Sequence, residues 1–314
     1  MQLLESVDDL PTAVRFVLGV GVFDGVHRGH ARMLRTAVVA ARRLAAQPIV
    51  VTFEPHPELV LRGQQPPLLC DPVEKLARFA AAGIAVTVVQ RFDRAFADQA
   101  ADDFLRRLAH GRSLAGVVMT DETAFGRDRA GTLAAVEALT PQLGFEVLHV
   151  PQLFVGGRRI SSGRIRELLV DGSIGEVKRL MGRDYAVVGE VVRGDGRGRD
   201  LGFPTANLLF QRPVALPRDG IYAVRVSWGG TDPLAAASRA AGVASLGVRP
   251  TFGAGERVLE VNLFDFDGDL YAERLRVEFM KRQRGERRFG SVGALVRQMK
   301  RDAERARAIL RVGV

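Results

Sequence analysis

The 314-residue chain contains one cysteine, Cys70, one tryptophan and three tyrosines. A single thiol excludes an internal disulfide framework and fits a reducing compartment. Lysine is scarce: Lys75, Lys178, Lys281 and Lys300 are the only four among 45 basic residues, so the positive charge is almost entirely arginine. Long apolar runs are missing. The most apolar stretch, 79–89, is interrupted by Gly83 and falls short of the roughly 20 residues that span a bilayer. Residues 1–11 carry acids where a secretory leader has basic residues before an apolar run. These absences predict a soluble, cytoplasmic protein with no membrane partner. No G-x-x-x-x-G-K-[ST] sequence occurs, which excludes a Walker-type phosphate loop.

The composition that remains is 47% hydrophobic and 26% charged, enough for an ordinary globular core. The length predicts two domains. The net charge of +9 is concentrated: residues 281–314 hold eleven Lys or Arg against three acids. An arginine-rich tail suggests phosphate-backbone binding. Yet Phe289 is its only ring, and Val292, Leu295, Val296, Met299, Ala303, Ala306 and Leu310 recur at helical spacing. That pattern favours a docked amphipathic helix with a solvated basic face over a nucleic-acid-binding protein.

The first half alternates short apolar runs at 14–20, 49–53, 84–89, 116–119 and 145–150 with helical patterns such as Met33, Leu34, Ala37, Val38, Ala41, Leu44 and Ala45. That rhythm predicts an α/β, Rossmann-like parallel sheet covered by helices on both faces. After a helix expected over 162–180 the character changes. Runs at 187–192, 221–226, 242–245, 258–264 and 275–279 alternate and are separated by Gly, Pro and Asp turns. They predict an antiparallel β-barrel closed by the C-terminal helix. The domains are expected at 1–183 and 184–314.

Two stretches carry the chemistry. Gly21-Val22-Phe23-Asp24-Gly25-Val26-His27-Arg28-Gly29-His30 follows the first strand and opens the first helix. Parallel sheets bind ligands at their carboxyl ends, and a helix N-terminus there attracts phosphate. Gly21, Gly25 and Gly29 let the backbone approach a ligand, and His27 and His30 can hydrogen-bond a phosphate as its charge builds. His56, in Thr52-Phe53-Glu54-Pro55-His56-Pro57, falls at the same rim. His110 and His149 stand outside these motifs and read as structural.

The second stretch holds Gly194, Gly196, Gly198 and Gly202, followed by Pro204-Thr205-Ala206-Asn207. A glycine loop exposes amides that can cradle a polyphosphate, although connecting turns look the same. Thr205 and Asn207 point the same way on an extended strand. A hydroxyl and an amide oxygen side by side suit Mg²⁺, which also holds phosphates.

These stretches resemble the GxFDGxHxGH motif of nucleotidyltransferases and the GxxxGRxLGFPTAN motif of riboflavin kinases, in the order found in bifunctional riboflavin kinase/FMN adenylyltransferases. The resemblance continues through Ile160-Ser161-Ser162-Gly163-Arg164, Gly247-Val248-Arg249-Pro250-Thr251-Phe252, Leu259-Glu260-Val261-Asn262 and Arg284-Gly285-Glu286-Arg287-Arg288-Phe289. It implies riboflavin, FMN and ATP as substrates and Mg²⁺ as cofactor. His27 and His30 would be catalytic in adenylyl transfer, with Gly21, Phe23, Asp24, Gly25, Gly29, His56, Ser162 and Arg164 on the nucleotide. Glu260 would be the base that deprotonates riboflavin. Gly194, Gly196, Gly198, Gly202, Pro204 and Thr205 would hold its ATP, and Thr205 and Asn207 the metal. Glu122, Phe125, Arg249, Arg284 and Glu286 are the flavin-binding candidates. Val22, Glu122, Thr123 and Gly163 depart from the family pattern, so a kinase with a degenerate or retargeted nucleotidyltransferase domain is the alternative.

Overall fold

A computed structural model of the chain describes residues 1–194, 196–230, 232–248 and 257–312. The backbone divides into two compact units. The first comprises Met1–Pro66 and Lys75–Ser161, the second Pro67–Glu74 and Ser162–Val314.

The first unit is built on strands β1 (Gln2–Leu4), β2 (Arg15–Val20), β3 (Gln47–Glu54), β4 (Val86–Arg91), β5 (Ser113–Met119) and β6 (Glu146–His149). They form one sheet in the order β1-β4-β3-β2-β5-β6, parallel at every pairing. The expected parallel sheet is therefore present, with an edge strand, β1, whose three residues are too few to show a period. Central strands are buried on both faces, hence their uninterrupted apolar runs. Val17, Val50 and Val118 face one core with Met33, Leu34, Ala37 and Phe79. Leu18, Ile49 and Val117 face the other with Phe104, Leu105 and Leu108.

Helix α1 (Arg28–Arg43) joins β2 to β3. The helices α2 (Pro57–Arg62), α3 (Pro72–Ala81), α4 (Arg94–Ala97), α5 (Ala101–Ala109), α6 (Leu133–Glu137) and α7 (Thr140–Leu143) fill the other connections. A hairpin of β7 (Phe154–Val155) and β8 (Arg158–Arg159) follows β6. Strand order reverses between β2 and β5, and the crevice at the carboxyl ends of these strands is where such a sheet receives a ligand.

The second unit begins with α8 (Ser162–Val170) and α9 (Ile174–Met181). The single helix expected over 162–180 is two, because Gly172 adopts φ +78° between them, a left-handed value that ends a helix. Then come β9 (Tyr185–Val192), α10 (Arg197–Asp200), β10 (Ala206–Leu209), β11 (Gly220–Trp228), β12 (Ser238–Val248), β13 (Arg257–Leu263), β14 (Arg274–Arg284) and α11 (Val292–Leu310). The strands close a barrel in the order β10-β13-β12-β11-β14-β9, antiparallel throughout. Tyr185, Tyr222, Val224, Leu259 and Phe279 are buried in it. The C-terminal helix docks as its periodicity predicted, with Ala306 and Leu310 packed on Ala223 and Phe264.

The segment Pro67–Glu74 comes from the first half of the sequence but belongs to the barrel unit. Leu68 bridges Val214, and Glu74 pairs with Arg276 at 2.9 Å, both nearly inaccessible. Desolvation opposes the guanidinium charge, but the hydrogen bonds and field of Glu74 and Glu278 outweigh it and hold Arg276 above its ordinary pKa. A paired, hydrogen-bonded ion is the form in which such a charge is tolerated inside a protein.

Candidate active sites

The turn after β2 is tightly built. Phe23 (φ +52°), Gly25 (φ +79°) and Val26 (φ +37°) are left-handed, a region most side chains avoid. Phe23, Asp24, Val26 and His27 are buried. The Gly21 amide donates to the Val51 carbonyl at 3.1 Å and Val26 to that of Phe23 at 3.0 Å. His27 caps α1: its Nδ1 accepts the His30 backbone N–H at 3.3 Å. An accepting Nδ1 puts the ring proton of the neutral imidazole on Nε2. Gly29 makes room for this, since a Cβ there would lie 3.1 Å from His27 Cε1. The His27 and His30 rings stack with centroids 3.6 Å apart.

His56, after β3, caps α2 in the same manner, its Nδ1 accepting from the Glu58 amide at 3.2 Å. The structure thus orients His27 and His56 alike. Beneath the turn, the Thr52 hydroxyl donates to the Val22 carbonyl at 3.2 Å.

Across the reversal, the segment after β5 carries Glu122, whose carboxylate pairs with Arg159 of β8. The unexpected acid is therefore matched by a cation that sequence reasoning passed over. His149 is not solitary either, because its Nε2 lies 2.9 Å from Asp121 Oδ1. Phe125 is packed in the core, edge-on to Phe104 at 5.7 Å. It ends a chain of phenylalanine rings, Phe53, Phe92, Phe96 and Phe104, each within 6 Å of the next. Of these Phe53, Phe92 and Phe96 are half-buried; their recurrence at 92, 96 and 104 was the available signal. Ser162 and Arg164 open α8 and fall in the second unit.

In the barrel, ladder register gathers the expected groups. Asn207 pairs directly with Glu260 and with Val192, Glu260 with Ser245, Ser245 with Ile221, and Ile221 with Arg284. Directly opposed residues share a face with Cβ atoms about 5 Å apart. The neighbours Leu208, Leu259 and Val261 are buried in the barrel, so the row lies on its outer side. Glu260 is half-buried there. The Asn262 side chain donates to the Pro204 carbonyl at 2.7 Å and ties the Pro204 entry to β13.

The glycines of the loop before β10 are placed by contact. A Cβ on Gly194 would fall 2.3 Å from Asn207 Nδ2, and one on Gly198 would fall 2.4 Å from the Phe203 carbonyl and 3.3 Å from Thr205 Oγ1. Gly196 (φ +73°) and Gly202 (φ +78°) supply left-handed turns. Asn207 is 6% exposed and its Oδ1 has no hydrogen-bond partner among the described residues. Beside Phe203 and Pro204 opens a cleft of about 400 Å³, lined also by Asn262, Phe264, Phe266 and Arg307.

Arg284 is held by Asp302 of α11 at 2.6 Å in a buried pair, which Gln298 joins at 2.9 Å. The Glu286 carboxylate lies over Gly247, where a Cβ would meet it at 2.1 Å. Arg249 lies outside the described residues. On β14, Gln283 is the extra residue of a bulge opposite Ile221 and Tyr222, with both amide atoms buried and unpartnered among the described residues.

The candidate groups fall in two places, the histidine-bearing turn after β2 and the Asn207–Glu260 row of the barrel. Both offer hydrogen-bond donors, a carboxylate and glycine-lined backbone, the equipment of transferases that pass a phosphorus-containing group directly between two bound substrates. Residues 11–164 match the family described as FAD synthetase and residues 181–310 the family described as riboflavin kinase. The bifunctional riboflavin kinase/FMN adenylyltransferase of Escherichia coli (strain K12) is 36% identical over 98% of this chain and 97% of that one. Its namesake from Bacillus subtilis (strain 168) is 32% identical over 92% and 91%. The chain belongs to the bifunctional riboflavin kinase/FMN adenylyltransferase family. A crystal structure of a Streptococcus pneumoniae protein described as a macrolide-efflux protein has the same fold, with TM-score 0.86 and 31% identity over 97% of this chain and 98% of that one. No helix among the described residues is long and apolar enough to cross a membrane.

Proposed function

We infer that the chain phosphorylates riboflavin to FMN and adenylylates FMN to FAD, using ATP in both reactions. The observation that carries this reading is the match of both halves to the two family models.

For the kinase, Glu260 is the base. It takes the proton of the terminal ribityl hydroxyl as that oxygen bonds to the γ-phosphorus and the bond to the β-phosphate oxygen breaks, leaving ADP. The glycine loop and the cleft beside Pro204 receive ATP. Thr205 and Asn207 fit Mg²⁺, because a buried amide oxygen without a partner among the described residues and a hydroxyl two residues earlier are hard-cation donors. Bound there, the ion would neutralise phosphate charge.

For adenylyl transfer, an FMN phosphate oxygen attacks the α-phosphorus of ATP and pyrophosphate leaves. His27 and His30 donate to the phosphate oxygens, and His56 is assigned to the nucleotide. The half-buried rings of Phe53, Phe92 and Phe96, set edge-to-face or tilted to one another, offer apolar contact to the isoalloxazine. A degenerate nucleotidyltransferase domain is disfavoured by the Glu122–Arg159 pair, which removes the uncompensated carboxylate. The single cysteine supports a cytoplasmic location.

The test is a product assay with riboflavin and Mg-ATP in one tube and FMN and Mg-ATP in another. FAD in both is expected. FMN alone in the first, with no FAD in either, would leave only the kinase.

A further inference from the structure

We propose that Lys75 is a positioning residue of the adenylyl-transfer step, holding the histidine-bearing turn in its reactive shape from α3; this rests on the adenylyltransferase reading above. Left-handed Phe23 and Val26 are costly conformations, and such strain persists only where the surroundings over-determine it.

The surroundings here converge on one carbonyl. Val22 O accepts from the Thr52 hydroxyl at 3.2 Å and from Lys75 Nζ at 3.4 Å. Lys75 Nζ also donates to Thr52 Oγ1 at 3.2 Å, closing a three-membered network. One turn further along α3, Phe79 meets the Phe23 ring edge-on at 5.4 Å, and Phe23 in turn abuts His30 at 5.3 Å. Lys75 and Phe79 are four apart and share a helix face. That face grips two consecutive turn residues, Val22 by its backbone and Phe23 by its ring.

The residue type is informative. Lys75 is the only lysine before Lys178 in a chain that otherwise uses arginine. A compact ammonium with three rotatable donors can serve a carbonyl and a hydroxyl together, whereas a planar guanidinium fork suits carboxylates and phosphates. A hydrogen bond with a charged donor is also stronger than a neutral one. Lys75 therefore acts through the turn, and the turn through His27 and His30.

The experiment is steady-state kinetics of FAD formation from FMN and Mg-ATP with full-length Lys75→Met, Thr52→Val and the double variant, with FMN formation from riboflavin as internal control. Misplacing a catalytic group by about 1 Å costs on the order of 100-fold, so Lys75→Met should lower kcat about 10- to 100-fold with KM for ATP and FMN within about threefold. Thr52→Val should lose less, and the double variant should lose clearly less than the product of the two, because both groups serve one carbonyl. A kcat within twofold of the parent in Lys75→Met would overturn the proposal. So would a loss confined to KM, which would make Lys75 a substrate ligand, or strict additivity in the double variant. Should Lys75→Met not fold, a parent-like kcat in the nearly isosteric Thr52→Val overturns it. A parent protein that forms no FAD would sink the adenylyltransferase reading itself.

Discussion

The two sites reach similar chemistry by opposite constructions. The site on the parallel sheet lies beyond the strand ends, where the backbone is free of the ladder. It is made of irregular main chain, with a left-handed phenylalanine and valine and two histidines whose ring nitrogens are fixed by backbone amides. The barrel site lies within the ladder. Asn207 and Glu260 meet because two antiparallel strands are in register, and a one-residue slip would send both to the other face. The first site is thus sensitive to what buttresses a loop, the second to what fixes a sheet. Parallel strands leave their carboxyl ends together at one rim, which is why the loop solution suits them, whereas a closed barrel has no such rim.

The comparison is broken or sharpened most sharply by crossed substitutions. Glu260→Gln should lower FMN formation about 1000-fold and leave conversion of supplied FMN to FAD within about twofold. His27→Ala should do the reverse, with FAD formation falling about 100- to 1000-fold. If either variant, still folded, lost both activities in the product assay, the separation of the sites would be wrong. Next in size is Asp302→Ala, which strands the Arg284 guanidinium in a buried position. Breaking a buried pair in this way costs about 3–5 kcal/mol, read as a lower urea midpoint for the barrel with the parallel-sheet unit unchanged.

Gln283→Leu removes an amide whose two polar atoms are buried without partners among the described residues. It should raise barrel stability by about 1 kcal/mol, and a loss of stability would show that the amide is served in solution. The smallest effect is alkaline. Burial pushes the Tyr222 phenol up to about 12 from an ordinary 10.0. The folded state therefore prefers the neutral form, and this contribution is intact below pH 10 and lost as pH rises through 12. Absorbance titration should show one tyrosine ionising late, and Tyr222→Phe should remove it.

Much of both sites was legible. Histidines bracketed by glycines between a strand and a helix are a motif with a structural context, and that context is present. The barrel row was half legible: Thr205 and Asn207 stood out as a pair, but cross-strand register with Glu260 is a long-range fact that no local pattern carries. The parallel sheet was read from its apolar runs, except for β1, whose Gln2, Leu3 and Leu4 lack any period. The helix at 162–180 was drawn unbroken because its apolar spacing continues across Gly172, whose backbone angle the spacing does not encode. The partners of Glu122 and His149, namely Arg159 and Asp121, were invisible for the same reason as Glu260 and Asn207: they are distant in sequence and adjacent in space.

The crossing of Pro67–Glu74 into the barrel unit bears on how the gene can be divided. The polypeptide enters the barrel unit, leaves it and returns, so a single cut in the coding sequence does not yield two whole folding units. A fragment starting after Ser161 would lack the backbone partner of Val214 and would leave Arg276 with one carboxylate, that of Glu278, in place of two. The backbone thus crosses between the two units three times, after Pro66, Glu74 and Ser161.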